Sequence, residues 1–164
     1  MRCRSLLASL LLAVAAQSGV PAPTLTFAGY GAIHFGASVK QAAAAVKTAA
    51  IRSNPEEDEA CHYVHFAAYP GADFMVENGR IVRVEVPDAA SNILGVRVGM
   101  SLVEIRTHLK GRRFQMREDG DNNQYLVIPA ADGKSEIYLA LEHDKLAYVR
   151  GGLLPAVEYV EGCL

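Results

Sequence analysis

Residues 95–109 read GVRVGMSLVEIRTHL, and residues 32–46 read AIHFGASVKQAAAAV. Laid side by side, Ile33 matches Val96, Phe35 matches Val98, Gly36 matches Gly99, Ser38 matches Ser101, Gln41 matches Glu104 and Val46 matches Leu109. Each pair keeps its chemical type. The apolar residues flank His34 and Arg97 with the period of a short half-buried strand, and the glycine permits a sharp change of direction. A serine three residues before Gln or Glu has the spacing of a capping box. Ser38 and Ser101 are therefore expected to cap helices near 39–50 and 102–110. Val39, Ala42, Ala43 and Val46 form one apolar stripe, Leu102, Ile105 and Leu109 form another, and Gly111 ends the second helix.

The correspondence continues outward. In the first half HYVHF (62–66) and DFMV (73–76) lead through Glu77-Asn78-Gly79-Arg80 into IVRVEV (81–86), and Asn-Gly between alternating apolar runs signals a hairpin. In the second half QYLVI (124–128) and EIYLAL (136–141) lead through Glu142-His143-Asp144-Lys145 into LAYVR (146–150), with RRFQMR (112–117) adding a strand. The pattern reads as a duplicated unit of strand, helix and antiparallel strands. The expected fold class is α+β, in two layers, from two repeated helix-on-antiparallel-sheet units. Its expected organisation is a signal peptide over 1–16, an N-terminal segment over 17–27, a first α/β repeat unit over 28–90, and a second over 91–164 that includes a C-terminal tail.

The helix opening G-[MA]-S-x-x-[EQ], present as Gly36-Ala37-Ser38-Val39-Lys40-Gln41 and Gly99-Met100-Ser101-Leu102-Val103-Glu104, resembles that of the small outer-membrane assembly lipoproteins called SmpA/OmlA. A tandem pair of such units resembles the beta-lactamase inhibitory proteins, and that resemblance implies binding of a protein on the face of a curved sheet. The chain as a whole, down to its YVEGC ending, also resembles uncharacterised exported bacterial proteins.

Arg2 and Arg4 precede an apolar run, Leu6–Ala16, of the length of a secretory h-region, and Val14 and Ala16 occupy the −3 and −1 positions of a cut after Ala16. The run is too short to span a bilayer, and Cys3 precedes it, where a lipidation cysteine would follow it. Export to the periplasm or beyond is the expectation. Loss of Arg2 and Arg4 with the leader lowers the 16 Lys plus Arg to 14, against 18 Asp plus Glu. A mildly acidic chain has no global field for nucleic acid, and the local cluster Arg106, Lys110, Arg112, Arg113 and Arg117 reads as a solvated helix end and strand. Cleavage also leaves two cysteines, Cys61 and Cys163, which in an oxidising compartment are expected to pair.

Candidate chemistry weakens once its neighbours are read. His62 and His65 stand three apart in a strand and point to opposite faces, a poor start for a metal site. Asp119-x-Asp121-x-Asn123 opens like a calcium loop but has Gln124 at the sixth position and Ala130 at the twelfth. The run Glu56-Glu57-Asp58-Glu59 reads as a solvated loop. Ser38 and Ser101 lack the second glycine of a nucleophile elbow. No catalytic residue, metal ligand or cofactor is assigned.

What remains is a surface. Alternation sends Val82, Val84, Val86, Ile137, Leu139 and Leu141 toward the helices. The outward face then carries Tyr63, His65, Arg83, Glu85, Tyr138, Tyr148 and Arg150, residue types that dominate protein-binding hot spots. The expected function is an exported, non-enzymatic binding protein whose partner is an envelope or secreted protein, with inhibitor and immunity roles included. A glycan or small-molecule binding module is the alternative.

Overall fold

The computed structural model describes residues 22–56, 58–120 and 123–163. The leader, the cut after Ala16, Glu57 and Asp121 lie outside the described residues. Alternating apolar runs form strands close to where their pattern places them: β5 (Cys61–Phe66), β6 (Asp73–Glu77), β7 (Arg80–Val86), β10 (Gln124–Pro129), β11 (Ser135–Glu142) and β12 (Lys145–Leu153). With β4 (Ala50–Arg52) and β9 (Gln115–Glu118) they make one antiparallel sheet in the order β4-β5-β6-β7-β12-β11-β10-β9. A smaller sheet, in the order β3-β2-β1-β8, consists of β1 (Thr24–Thr26), β2 (Gly29–Tyr30), β3 (Ile33–His34) and β8 (Ser91–Asn92). Among the described residues two short helices, α1 (Val39–Val46) and α2 (Leu102–His108), complete the fold with one 3-10 turn at Ala156–Glu158.

The α+β class, as two layers of repeated helix-on-sheet units, is overturned by this balance: the protein is mostly β, with 42% strand and 13% helix. A capping box fixes where a helix starts and says nothing about its length. The box forms at both serines: Gln41 N donates to Ser38 Oγ at 3.2 Å and Ser38 N to Gln41 Oε1 at 2.8 Å, while Ser101 N donates to Glu104 Oε2 at 2.8 Å. Yet α1 stops after 8 residues because Lys47 turns left-handed, at φ 56°, and the amides of Lys47 and Thr48 both bond back to the Ala43 carbonyl. The stretch expected to continue α1 to residue 50 leads instead into β4. Helix α2 has 7 residues, and each helix fully buries one side chain, Ala42 or Ile105, too little to cover an eight-stranded sheet. The main core is closed over the sheet by both helices together with Leu25, Tyr30 and Ile33 of the small sheet.

What recurs between the halves is a set of backbone junctions. Gly36 N donates to the Ile81 carbonyl at 2.7 Å and Gly99 N to the Leu146 carbonyl at 2.8 Å; the reverse bonds, Ile81 N to Ala37 and Leu146 N to Met100, are 2.9 and 2.8 Å. Each glycine lets the chain reach the hairpin with positive φ, 82° and 86°. Both hairpin turns have positive φ at both central residues, Asn78 and Gly79 or His143 and Asp144, as a two-residue turn matched to strand twist requires.

Each hairpin is also followed by a bulge. Register shifts between Met75 and Val76 on β6, so that Val76 faces Ile81 and Met75 faces Arg83; the same shift between Ala140 and Leu141 sets Leu141 against Leu146 and Ala140 against Tyr148. The extra residue corrects the expected inward set. Ile81, Val84 and Val86 point into the main core with Ile137, Leu139 and Leu141, whereas Val82 is turned to the other face, against Met75 and Ala156. A second correction concerns Val96–Val98, expected as a strand. Val96 is buried, but its backbone is tied by the Asn92 side chain, which donates to the Val96 carbonyl at 2.8 Å and accepts from the Val96 and Leu94 amides at 3.2 Å. An amide side chain does here what a neighbouring strand would do.

Candidate functional site

The seven residues singled out for the outer face all sit on the large sheet, on β5, β7, β11 and β12. Their surroundings differ from the expectation of an open surface. After β12 the chain turns back and the segment 154–163, hereafter the tail, lies across this face. Ala156 and Val157 are buried, Val157 packing with Tyr125, Val127, Tyr138 and Ala140, and Ala156 with Met75 and Val82. Arg83, Tyr138 and Arg150 are thereby reduced to 3%, 3% and 2% exposure, while Tyr63, His65, Glu85 and Tyr148 stay half-buried along the margin.

The tail is pinned at its far end by a disulfide between Cys61 on β5 and Cys163, whose Cα atoms are 5.4 Å apart and 102 positions apart in sequence. The bond is the pairing expected from the cysteine count. Beside it Gly162, at φ 77°, accommodates the Tyr63 hydroxyl, which stands 2.4 Å from where a Cβ would be.

Between these anchors the tail meets two buried guanidinium groups. Arg83 Nη1 donates to the Tyr159 carbonyl at 2.8 Å and Arg150 Nη1 donates to the same oxygen at 3.1 Å. Arg83 also bonds the Tyr63 hydroxyl at 3.0 Å and pairs with Glu85 at 2.5 Å. Arg150 has no carboxylate partner among the described residues; its guanidinium carbon lies 4.8 Å from the Tyr138 ring centre and 5.5 Å from that of Tyr125. Burial lowers the Arg150 pKa from its ordinary value, and the neighbouring Arg83 charge lowers it further. The Nε atoms of both arginines have no hydrogen-bond acceptor among the described residues.

A second charged group flanks the first. Arg117 on β9 pairs with Glu158 of the tail, donates to the Tyr138 hydroxyl at 2.7 Å and lies 3.7 Å from Glu136. Burial pushes the Tyr138 hydroxyl up to about 12 and raises Tyr125 and Glu136 as well. Such a cluster can bind oxygen acceptors and anions through arginine and present aromatic faces, and within it the Tyr138 hydroxyl donates to Glu158 Oε1 at 3.4 Å.

The remaining candidates are scattered. His62 and His65 lie on opposite faces of β5; His65 Nδ1 is 3.5 Å from Ser53 Oγ. Asp119 bonds the Asn123 amides and the Tyr125 hydroxyl, closing the loop on itself. Among the described residues no three His, Cys, Asp or Glu side chains gather as metal ligands, and no helix is long and apolar enough to cross a membrane. An open groove of about 500 Å³ runs over Phe27, Phe35 and Leu153 with His34, Asp132 and Lys134 at its rim, beside the start of the tail. The cysteine pair already implies that the bridge staples the tail EYVEGCL onto the first half, as it does; that the tail covers the outer face is not legible, because the segment has no period.

No protein-family model matches the chain, and no curated protein does. Among solved structures it is similar to a cysteine-rich secretory protein from Staphylococcus aureus, at 13% identity and a TM-score of 0.48, covering 79% of this chain and 48% of that one. The chain thus spans about half the length of that protein.

Proposed function

We propose that this chain is an exported, non-enzymatic binding protein that holds an envelope or secreted protein against the outer face of its large sheet. The carrying observation is that this face already binds a polypeptide segment, its own tail, with buried side chains, aromatic rings and carbonyl-directed arginines. Around the tail, Tyr63, His65, Glu85 and Tyr148 remain half-exposed on rigid strands, where a partner can meet preorganised side chains at little entropic cost. The Cys61–Cys163 bond fits an oxidising compartment outside the cytosol. On this reading the leader is removed after Ala16, which the mass of the exported protein tests directly.

Photo-crosslinking tests the surface. A photoreactive residue placed at Tyr148 or His65 in the oxidised protein should trap one envelope or secreted protein in cells. The same group at Val103, which is 76% exposed on α2, should not. Absence of any adduct from both sheet positions, or equal trapping from Val103, overturns the proposal.

A further inference from the structure

The tail has the composition of a ligand for the groove it fills. From Leu154 to Cys163 it carries Glu158 and Glu161 and no Lys or Arg. Glu158 answers Arg117, and the Tyr159 carbonyl stands between Arg83 and Arg150. A carbonyl brings only a partial charge to two full positive charges, and both Nε donors stay unanswered at 2–3% exposure. Unanswered donors at that depth are costly, and the two Nη1 groups that share one carbonyl of the tail can take more anionic oxygen than it supplies. Without the tail the groove holds Arg83, Arg117 and Arg150 against Glu85 and Glu136, an excess of one positive charge, with Tyr125 and Tyr138 as its apolar floor. Both cysteines that latch the tail are half-buried at the margin.

We propose that the tail is a disulfide-latched strap, and that reduction of Cys61–Cys163 opens the groove to an acidic, extended peptide segment of a partner protein. This rests on the binding-protein reading and names the partner's chemistry and its control. The reductant is a dithiol: one thiolate attacks a sulfur of the disulfide to form a mixed disulfide, and the second displaces it. The dithiol leaves as its own disulfide, two electrons having passed to Cys61 and Cys163, which become thiols. The unlatched strap is held by Ala156, Val157, the Arg117–Glu158 pair and the carbonyl bonds, and a segment with more carboxylates competes for the same donors.

The test uses the full chain in two states, oxidised, or reduced and blocked with iodoacetamide. The probe is a dye-labelled synthetic peptide spanning 154–163 with Cys163→Ser, read by fluorescence anisotropy, alongside hydrogen exchange of the tail amides. Expected are no binding when oxidised and saturable, salt-sensitive binding when reduced. Affinity should fall at least tenfold when the probe carries Glu158→Gln and Glu161→Gln, and again when the protein carries Arg150→Gln. Val157→Gly in the reduced chain, which weakens the strap in place, should tighten probe binding severalfold. Equal binding in both states, or equal affinity for the neutral probe, overturns the proposal. So does a reduced protein that binds nothing, whether or not its tail amides stay protected, and so does one that loses its near-ultraviolet circular dichroism, since the bond is then a staple of the fold. Adducts from the oxidised protein at Tyr148 and His65 would in that case leave the binding-protein reading standing.

Discussion

At the scale of single residues, tyrosines are kept from water both on the outer face and in the main core. Tyr138 is raised to about 12, and Tyr125 and Tyr30 are raised by burial too. For an acid whose folded pKa lies above its unfolded value near 10, the stabilising neutral form is fully present below pH 10. That stabilisation is lost as pH rises toward 12. Absorbance at 295 nm should therefore show the Tyr138 ionisation held back toward pH 12 and arriving together with loss of structure. A single wave near pH 10 would contradict the burial. A second residue-scale expectation concerns Asp144, whose φ of 60° glycine adopts without strain and an L side chain does not. Asp144→Gly should raise unfolding stability by about 1 kcal/mol in a denaturant titration, bringing the second hairpin closer to the Asn-Gly turn of the first.

Among the elements, the least visible support is the most exposed to a single change. Asn92 makes three hydrogen bonds to the backbone of residues 94 and 96 in a site only 8% exposed. Asn92→Ala should cost about 2–3 kcal/mol, at about 1 kcal/mol per bond, and hydrogen exchange should quicken at the Leu94 and Val96 amides first. This part of the chain also shows how far the sequence could be read. Long strands with a clean period of two, such as β7 and β11, were legible, and so were their hairpins, because alternation and turn chemistry are local. The strands β1, β2, β4 and β8 have two or three residues each and no period, and they exist through distant partners. Val82 followed its alternation to the wrong face because a bulge adds one residue, and nothing in IVRVEV marks where. Helix length was overread from an alanine run that Lys47 ends. Of the candidate site, the seven side chains were found on one face, while the burial of Arg83 and Arg150 was not legible, since charged residues ordinarily face water.

For the molecule as a whole, the disulfide closes a loop spanning 102 positions. Chain entropy assigns such a crosslink about 4–5 kcal/mol of stability through the unfolded state. Guanidinium unfolding of the oxidised and the reduced, alkylated protein should differ by about that amount at neutral pH. A difference below about 1 kcal/mol would mean that the reduced unfolded chain is already confined.

The sheet order carries a consequence for how the protein comes into being. A chain delivered from its amino end can lay β5, β6 and β7 beside one another early, since each pairs with its neighbour in sequence. The partner of β7 across the middle of the sheet is β12, some sixty residues later. Until that strand arrives, the inner edge of β7 is an open row of amides and carbonyls, the kind of edge that recruits stray chains. Cys61 meanwhile stands as a thiol without its mate, and Tyr63 and Arg83 lie bare on the neighbouring strands. The segment from β12 to Cys163 closes the middle of the sheet, covers its face and consumes the thiol, so this protein is most vulnerable to misassociation in the interval before that segment arrives.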